Sequence, residues 1–151
     1  MHPDPGSREF PHWTEEKLRI QDTDLNGHVN NASIAALCEA GRSEIIMAVA
    51  GPPQGRALGA ALRRVTIEYL AELHYPGQVR IGSAIARVGT TSITIAQGLF
   101  DGLFDGLFDG ARCFATAESM IVFLDRESRR PAPLPEAWRE GFGREGFGRL
   151  G

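Results

Sequence analysis

Cysteine is scarce in this chain. Its 151 residues hold only Cys38 and Cys113, too few for a disulfide framework and without the spacing of a metal site. Cys38 falls on the apolar side of a helical pattern and Cys113 in a strand-like run, so both read as small buried hydrophobes. Long hydrophobic runs are missing as well. No stretch approaches the roughly 18 apolar residues of a membrane span, and the opening Met-His-Pro-Asp-Pro-Gly lacks the apolar run of a secretory signal. The expectation is a cytoplasmic protein with no membrane partner. Nor is there an excess of positive charge: 16 Lys and Arg against 19 Asp and Glu give a net charge of −3, which argues against nucleic acid as a partner. The basic pairs Arg63-Arg64 and Arg129-Arg130 read as solvated surface or as contacts for a phosphorylated small molecule.

What remains is ordinary globular material, 42% hydrophobic and 23% charged, in a length that suits one domain with its own core. Residues 1–12, rich in Pro and polar groups, are expected as a flexible arm. Trp13 to Gln21 reads as a first strand. From Asn31 to Ala50 the residues Ile34, Leu37, Cys38, Gly41, Ile45 and Ala48 recur at helical spacing, which predicts one amphipathic helix. Asn30 or Asn31 is its expected N-cap and Gly51-Pro52-Pro53 its stop. Everything beyond reads as strand: 58–73, a segment around Val79, Ile81 and Ile85, an alternating segment from Ser92, and a long run from Cys113 to Leu124. The last run carries apolar residues on both faces. One helix covers one side of a sheet, so the face holding Phe114, Met120, Val122 and Leu124 predicts a second subunit. Arg130-Pro-Ala-Pro-Leu-Pro reads as a polyproline-like exit, and 139–151 as a Gly-rich tail after a domain spanning 13–138.

Two short repeats interrupt this pattern. Leu-Phe-Asp-Gly occurs three times at 99–110, and Arg-Glu-Gly-Phe-Gly twice at 139–148. Periods of four and five residues are too short for a solenoid unit. One copy of the first supplies an Asp-Gly hairpin turn, and the surplus either lengthens the hairpin or protrudes as a loop carrying Phe100, Phe104 and Phe108. The second spells Gly141-x-Gly143-x-x-Gly146 but follows no strand, so it is no dinucleotide fingerprint.

The chemistry concentrates in Asp22-Thr-Asp24-Leu-Asn26-Gly27-His28-Val-Asn30-Asn31, where two carboxylates, three carboxamides and an imidazole precede the helix. Such groups are costly to bury unpaired, so their density needs a reason. A turn is one, since Asp, Asn and Gly form turns and cap helices; a functional site is the other. The opening also matches a calcium loop, but the position that should hold a bidentate Glu is Ser33, and no metal is expected. His2, His12 and His74 show no ligand spacing.

The run Asp24-Leu-Asn26-Gly27-His28-Val29-Asn30-Asn31, with Glu39-Ala-x-Arg42, Ile67-Glu68-Tyr69, Arg87-Val-Gly-Thr-Thr-Ser92 and the Pro-rich exit, resembles the signature of hotdog-fold thioesterases. The nearest groups are the 4-hydroxybenzoyl-CoA thioesterase-like family and the acyl-carrier-protein thioesterases. One departure is Ser33-Ile34, where relatives commonly carry an aromatic residue. The resemblance implies an α+β hotdog fold, with one long helix wrapped by a five-stranded antiparallel sheet and sheets joined across a homodimer or homotetramer. It implies hydrolysis of an acyl-CoA or acyl-ACP thioester without a cofactor. Asp24 takes the role of catalytic carboxylate, as general base or nucleophile, with Asn26 and His28 beside it. Asn30, Asn31, Glu68, Arg87 and Ser92 are implied as substrate-binding residues, and Arg63, Arg64, Arg87 and Arg129 as rim cations for phosphates.

Each has a plainer reading: Asp24, Asn26 and Gly27 as turn residues, His28 as a packing residue, Asn30 and Asn31 as caps, Glu68 in a surface ion pair. Two other functions fit the same fold, an acyl-thioester hydratase or dehydratase and a non-catalytic acyl-CoA-binding protein.

Overall fold

The computed structural model describes residues 10–101 and 112–146. Strand β1 (His12–Lys17) leads through a 3-10 turn at Ile20–Asp22 to helix α1 (Asn31–Ala50). Four strands follow: β2 (Gly59–Tyr69), β3 (Gln78–Val88), β4 (Ser92–Asp101) and β5 (Arg112–Leu124). Helix α2 (Glu136–Arg144) closes the described chain. The strands form one antiparallel sheet in the order β1-β3-β4-β5-β2. This is the helix-and-sheet order expected of a hotdog fold. Among the described residues no helix is long and apolar enough to cross a membrane.

Helix α1 starts where the sequence places it. Asn30 is extended and its side-chain oxygen accepts the Ser33 amide at 2.7 Å, satisfying one of the donors that a helix N-terminus leaves open. Gly51, at φ 77°, ends the helix in a conformation that disfavours any side chain. The buried stripe Ile34, Cys38, Ile45 and Ile46 packs on β1, β3 and β4. Two clusters fill that layer. Ile34 and Cys38 meet Val79, Ile81, Leu99, Phe114 and Ala117 at one end. Ile45 and Ile46 meet Ile85, Ile93, Ile95, Ile121 and Phe123 at the other.

Phe114 is a correction to the expected strand faces. Leu99 pairs with Ala115 but Phe100 pairs with Cys113, so Phe114 is an extra residue in β5. A bulge of this kind changes the alternation, and it turns Phe114 inward against the helix. Of the two placings expected for Phe100, strand or protruding loop, the structure has the first, in β4. Phe100 is buried on the opposite face, edge-on to Phe10 at 6.4 Å and beside Trp13 at 5.8 Å. Gly82 and Gly98 make room there: a Cβ on Gly82 would stand 2.5 Å from Phe10. Phe10 and the β1 residue His12 thus belong to the fold, within the segment expected as an arm. Residues 1–9, 102–111 and 147–151, which include Phe104, Phe108 and the last two residues of the second Arg-Glu-Gly-Phe-Gly copy, lie outside the described residues.

The Pro-rich exit enters the core rather than leaving it. Leu134 is buried, and α2 follows in residues that the sequence pattern placed at the domain's end and in its tail. Phe142, fully buried, stacks near Phe123 with centroids 5.9 Å apart, and Trp138 meets the same ring at 5.4 Å.

Strand β2 is the least covered. Among the described residues it pairs with β5 alone, and its residues are exposed along nearly the whole length. Leu62, Val65, Tyr69 and Leu70 are each more than a third exposed. An open edge with apolar side chains on it is a ready template for pairing.

Candidate active site

The polar cluster folds as a tight turn that ends against α1. The Asp24 amide donates to the His28 carbonyl at 2.8 Å and the Gly27 amide to the Asp24 carbonyl at 3.2 Å. Gly27, at φ 81°, takes the left-handed position this turn needs. Oδ1 of Asp24 accepts the amides of Asn26 at 2.8 Å and His28 at 3.2 Å. The carboxylate is thereby held in place by the backbone of both residues expected to act with it. Its Oδ2 has no donor among the described residues.

Asp22 points the other way. Its carboxylate is buried, accepting the Arg19 amide at 2.8 Å, the Arg19 guanidinium at 3.1 Å and the Ser33 hydroxyl at 3.1 Å. Desolvation pushes its carboxyl upward, but the bonds from Arg19 and Ser33 outweigh that and hold it below the ordinary value. Ser33 is therefore the hydroxyl that ties the turn to the helix.

The Asn30 amide is not free to face a ligand, because it donates to the Asp22 carbonyl at 2.8 Å, and the Asn30 side chain is committed to the cap. The amides of Asn31 and Ala32, unlike those of Asn30 and Ser33, have no acceptor among the described residues. Leu25, next to Asp24 in the turn, projects fully into solvent, and Asp24 itself is exposed. Val29 is buried but belongs to the core.

The loop faces the end of β2. The Val29 amide donates to the Leu73 carbonyl at 2.8 Å, and His28 and His74 form an antiparallel bridge. Between the two segments opens a cavity of about 300 Å³, lined by Asp24, His28, Asn31, Ile34, Tyr69 and Glu72, with neighbouring residues. His28 is half-buried there, and its Nε2 stands 3.4 Å from a Glu72 carboxylate oxygen. Glu72 and His74 received no role from sequence. The available signal was Glu72-Leu-His74, since alternate residues of an extended segment share a face.

The remaining expected residues are spread out. Asn26 is exposed on the turn. Glu68 pairs with Thr116 in register, one position from Ile67, which packs into the core; it is therefore exposed on the face turned away from α1. Arg87 and Ser92 lie at the opposite end of the sheet: Ser92 pairs with Val122, whereas Ala115, beside the cavity end, pairs with Tyr69. Within one chain the structure does not bring Arg87 or Ser92 to Asp24. Arg63 and Arg64 are exposed on β2, and Arg129 on the turn after β5.

Among solved structures, a predicted thioesterase from Bacillus stearothermophilus is 25% identical, with 90% of this chain and 96% of that chain covered at a TM-score of 0.77. A thioesterase-superfamily protein from Jannaschia sp. CCS1 is 24% identical, covering 92% of this chain and 85% of that one at a TM-score of 0.81. The 1,4-dihydroxy-2-naphthoyl-CoA thioesterase from Synechocystis is 17% identical, covering 87% and 95% at a TM-score of 0.75. No curated protein matches the chain significantly in sequence. Residues 18–142, which run from the end of β1 through most of α2, match the model of the Thioesterase-like superfamily, and with its hotdog fold the chain belongs to that superfamily.

Proposed function

We propose that the chain hydrolyses an acyl thioester carried on coenzyme A or acyl carrier protein, with Asp24 as the general base. The observation that carries this reading is that Asp24 and Asn31 line one cavity at the start of α1, where the Asn31 and Ala32 amides have no intrahelical acceptor. A thioester carbonyl gains negative charge when attacked, and such amides at a helix N-terminus suit the developing oxyanion. Asp24 removes a proton from water as the oxygen adds to the carbonyl carbon. The tetrahedral intermediate then collapses, the carbon–sulfur bond breaks, and the proton passes from Asp24 to the departing thiolate. Asn26 and His28 serve as positioning residues, since their amides hold Oδ1 and leave Oδ2 for water.

The same reading assigns a second copy of the chain to the open β2 edge. Antiparallel pairing of two β2 strands about a two-fold axis places the Arg87 and Ser92 end of one sheet beside the Asp24 end of the other. Such a dimer gives Arg87 a route to the phosphates of a carrier bound at the partner's site.

The test is a thiol-release assay over short, long and aromatic acyl-CoA substrates. Turnover of at least one class is expected, and Asp24→Asn is expected to lower it by roughly 10²–10⁴-fold with the fold unchanged. Near-normal turnover in a well-folded Asp24→Asn protein would remove Asp24 from the mechanism, and no turnover of any thioester would overturn the reading as a whole.

A further inference from the structure

Three side chains from two segments far apart in sequence meet at the mouth of the cavity. Nε2 of His28 lies 3.4 Å from Oε2 of Glu72, and Nε2 of His74 lies 3.5 Å from the same oxygen. The two imidazoles meet edge-on, with ring centroids 4.8 Å apart. One ligand atom from each residue falls within 4.8 Å of the others. Donors around a tetrahedral zinc ion, at bond lengths of 2.0–2.2 Å, stand about 3.3 Å apart. The two nitrogen-to-oxygen separations already have that spacing.

The backbone holds this arrangement. His28 and His74 occupy facing positions of an antiparallel bridge, and the Val29 amide closes on the Leu73 carbonyl at 2.8 Å beside it. Glu72 and His74, two apart on an extended segment, project to one side. The donor set of two imidazoles and one carboxylate suits a borderline transition ion and is poor for calcium or magnesium, which take oxygen ligands.

We propose that His28, Glu72 and His74 bind one divalent transition-metal ion of the zinc type at the mouth of this cavity. Three protein ligands leave a fourth position of the ion open. His28 and Glu72 line the same cavity as Asp24 and Asn31, so metal-loaded and metal-free protein present different sites to any ligand there. The proposal is independent of the thioesterase reading, because metal binding can be measured without substrate.

The experiment titrates Zn²⁺ into the untagged full-length chain by calorimetry and by competition with a chromogenic chelator, for wild type, His74→Ala and Glu72→Gln. Circular dichroism verifies that the variants fold. One ion per chain is expected in wild type. Removing a group that merely orients a ligand commonly costs roughly tenfold or more in affinity, so each variant, which loses a ligand, is expected to lose at least that. No stoichiometric binding by wild type, or a loss of less than about tenfold in both folded variants, would overturn the proposal. Should one variant fail to fold, the other decides.

Discussion

Gly41 in the middle of α1 lies against Gln97 of β4 so closely that a Cβ on the glycine would stand 2.6 Å from the Gln97 Nε2. That nitrogen donates to the Cys38 carbonyl at 3.0 Å and to the Ser83 hydroxyl at 3.0 Å, so a buried amide ties the helix to the sheet. The same Cβ would also meet Ile81 at 2.7 Å and Ser83 at 3.0 Å. Gly41→Ala gains helix propensity of about 1 kcal/mol, but it has to displace three buried neighbours, and overpacking typically costs 1–3 kcal/mol. A net loss of stability is expected, with Gly41→Val worse, and chemical denaturation would measure it. An alanine variant as stable as wild type would mean that this contact relaxes freely.

Asp22 links pH to stability through the turn before α1. Its folded carboxyl is held below the ordinary value of 3.8, so its contribution is fully present above that value and fades as pH falls through the lower folded one. Asp22→Asn is expected to cost about 1–2 kcal/mol at neutral pH, the scale of a charged hydrogen-bonded group discounted for its exposed Arg19 partner. The gap between variant and wild type should stay level from pH 7 to 5 and close below about pH 4. Denaturation curves across that range would show it, and a gap that widened in acid would contradict the assignment.

Cys38 should be chemically silent in the folded protein. Burial pushes its thiol up to about 11 from 9.0, with the Arg42 guanidinium pulling weakly the other way. A shift of that size lowers the thiolate fraction near neutrality roughly a hundredfold. In a Cys113→Ser background, a disulfide reagent is expected to label Cys38 only on unfolding. Fast labelling in native buffer would show that the α1–sheet layer opens at this point.

Strand β2 carries the prediction of self-association. Leu62 and Val65, at 47% and 37% exposure, sit on a strand with one unpaired edge among the described residues. Sedimentation at micromolar concentration is expected to give a dimer or a higher assembly. Leu62→Lys with Val65→Lys should shift it toward monomer, because charges on an edge strand oppose pairing. A wild-type monomer, or a double variant that assembles unchanged, would refute an interface through β2.

Helix α1 was legible in the sequence because its signals are local. A 3.6-residue apolar stripe, an Asn cap whose oxygen reaches the Ser33 amide, and a stop at Gly51 all act within a few residues of one another. The strands were legible for the same reason, and so was the placing of polar groups directly before the helix. Three things were not. Residues 139–143, Arg-Glu-Gly-Phe-Gly, have poor helix propensity and read as tail; they are helical because Phe142 buries against Phe123 and because Gly141 lets α2 approach Val49, a Cβ there standing 2.6 Å away. The face of Phe114 was set by a bulge opposite Leu99 and Phe100, a property of two paired strands and not of either one. The meeting of His28 with Glu72 and His74 came from a backbone bridge between distant segments. Local propensity and spacing determined the elements of this protein, and only the pairing and packing of those elements decided which side chains share a site.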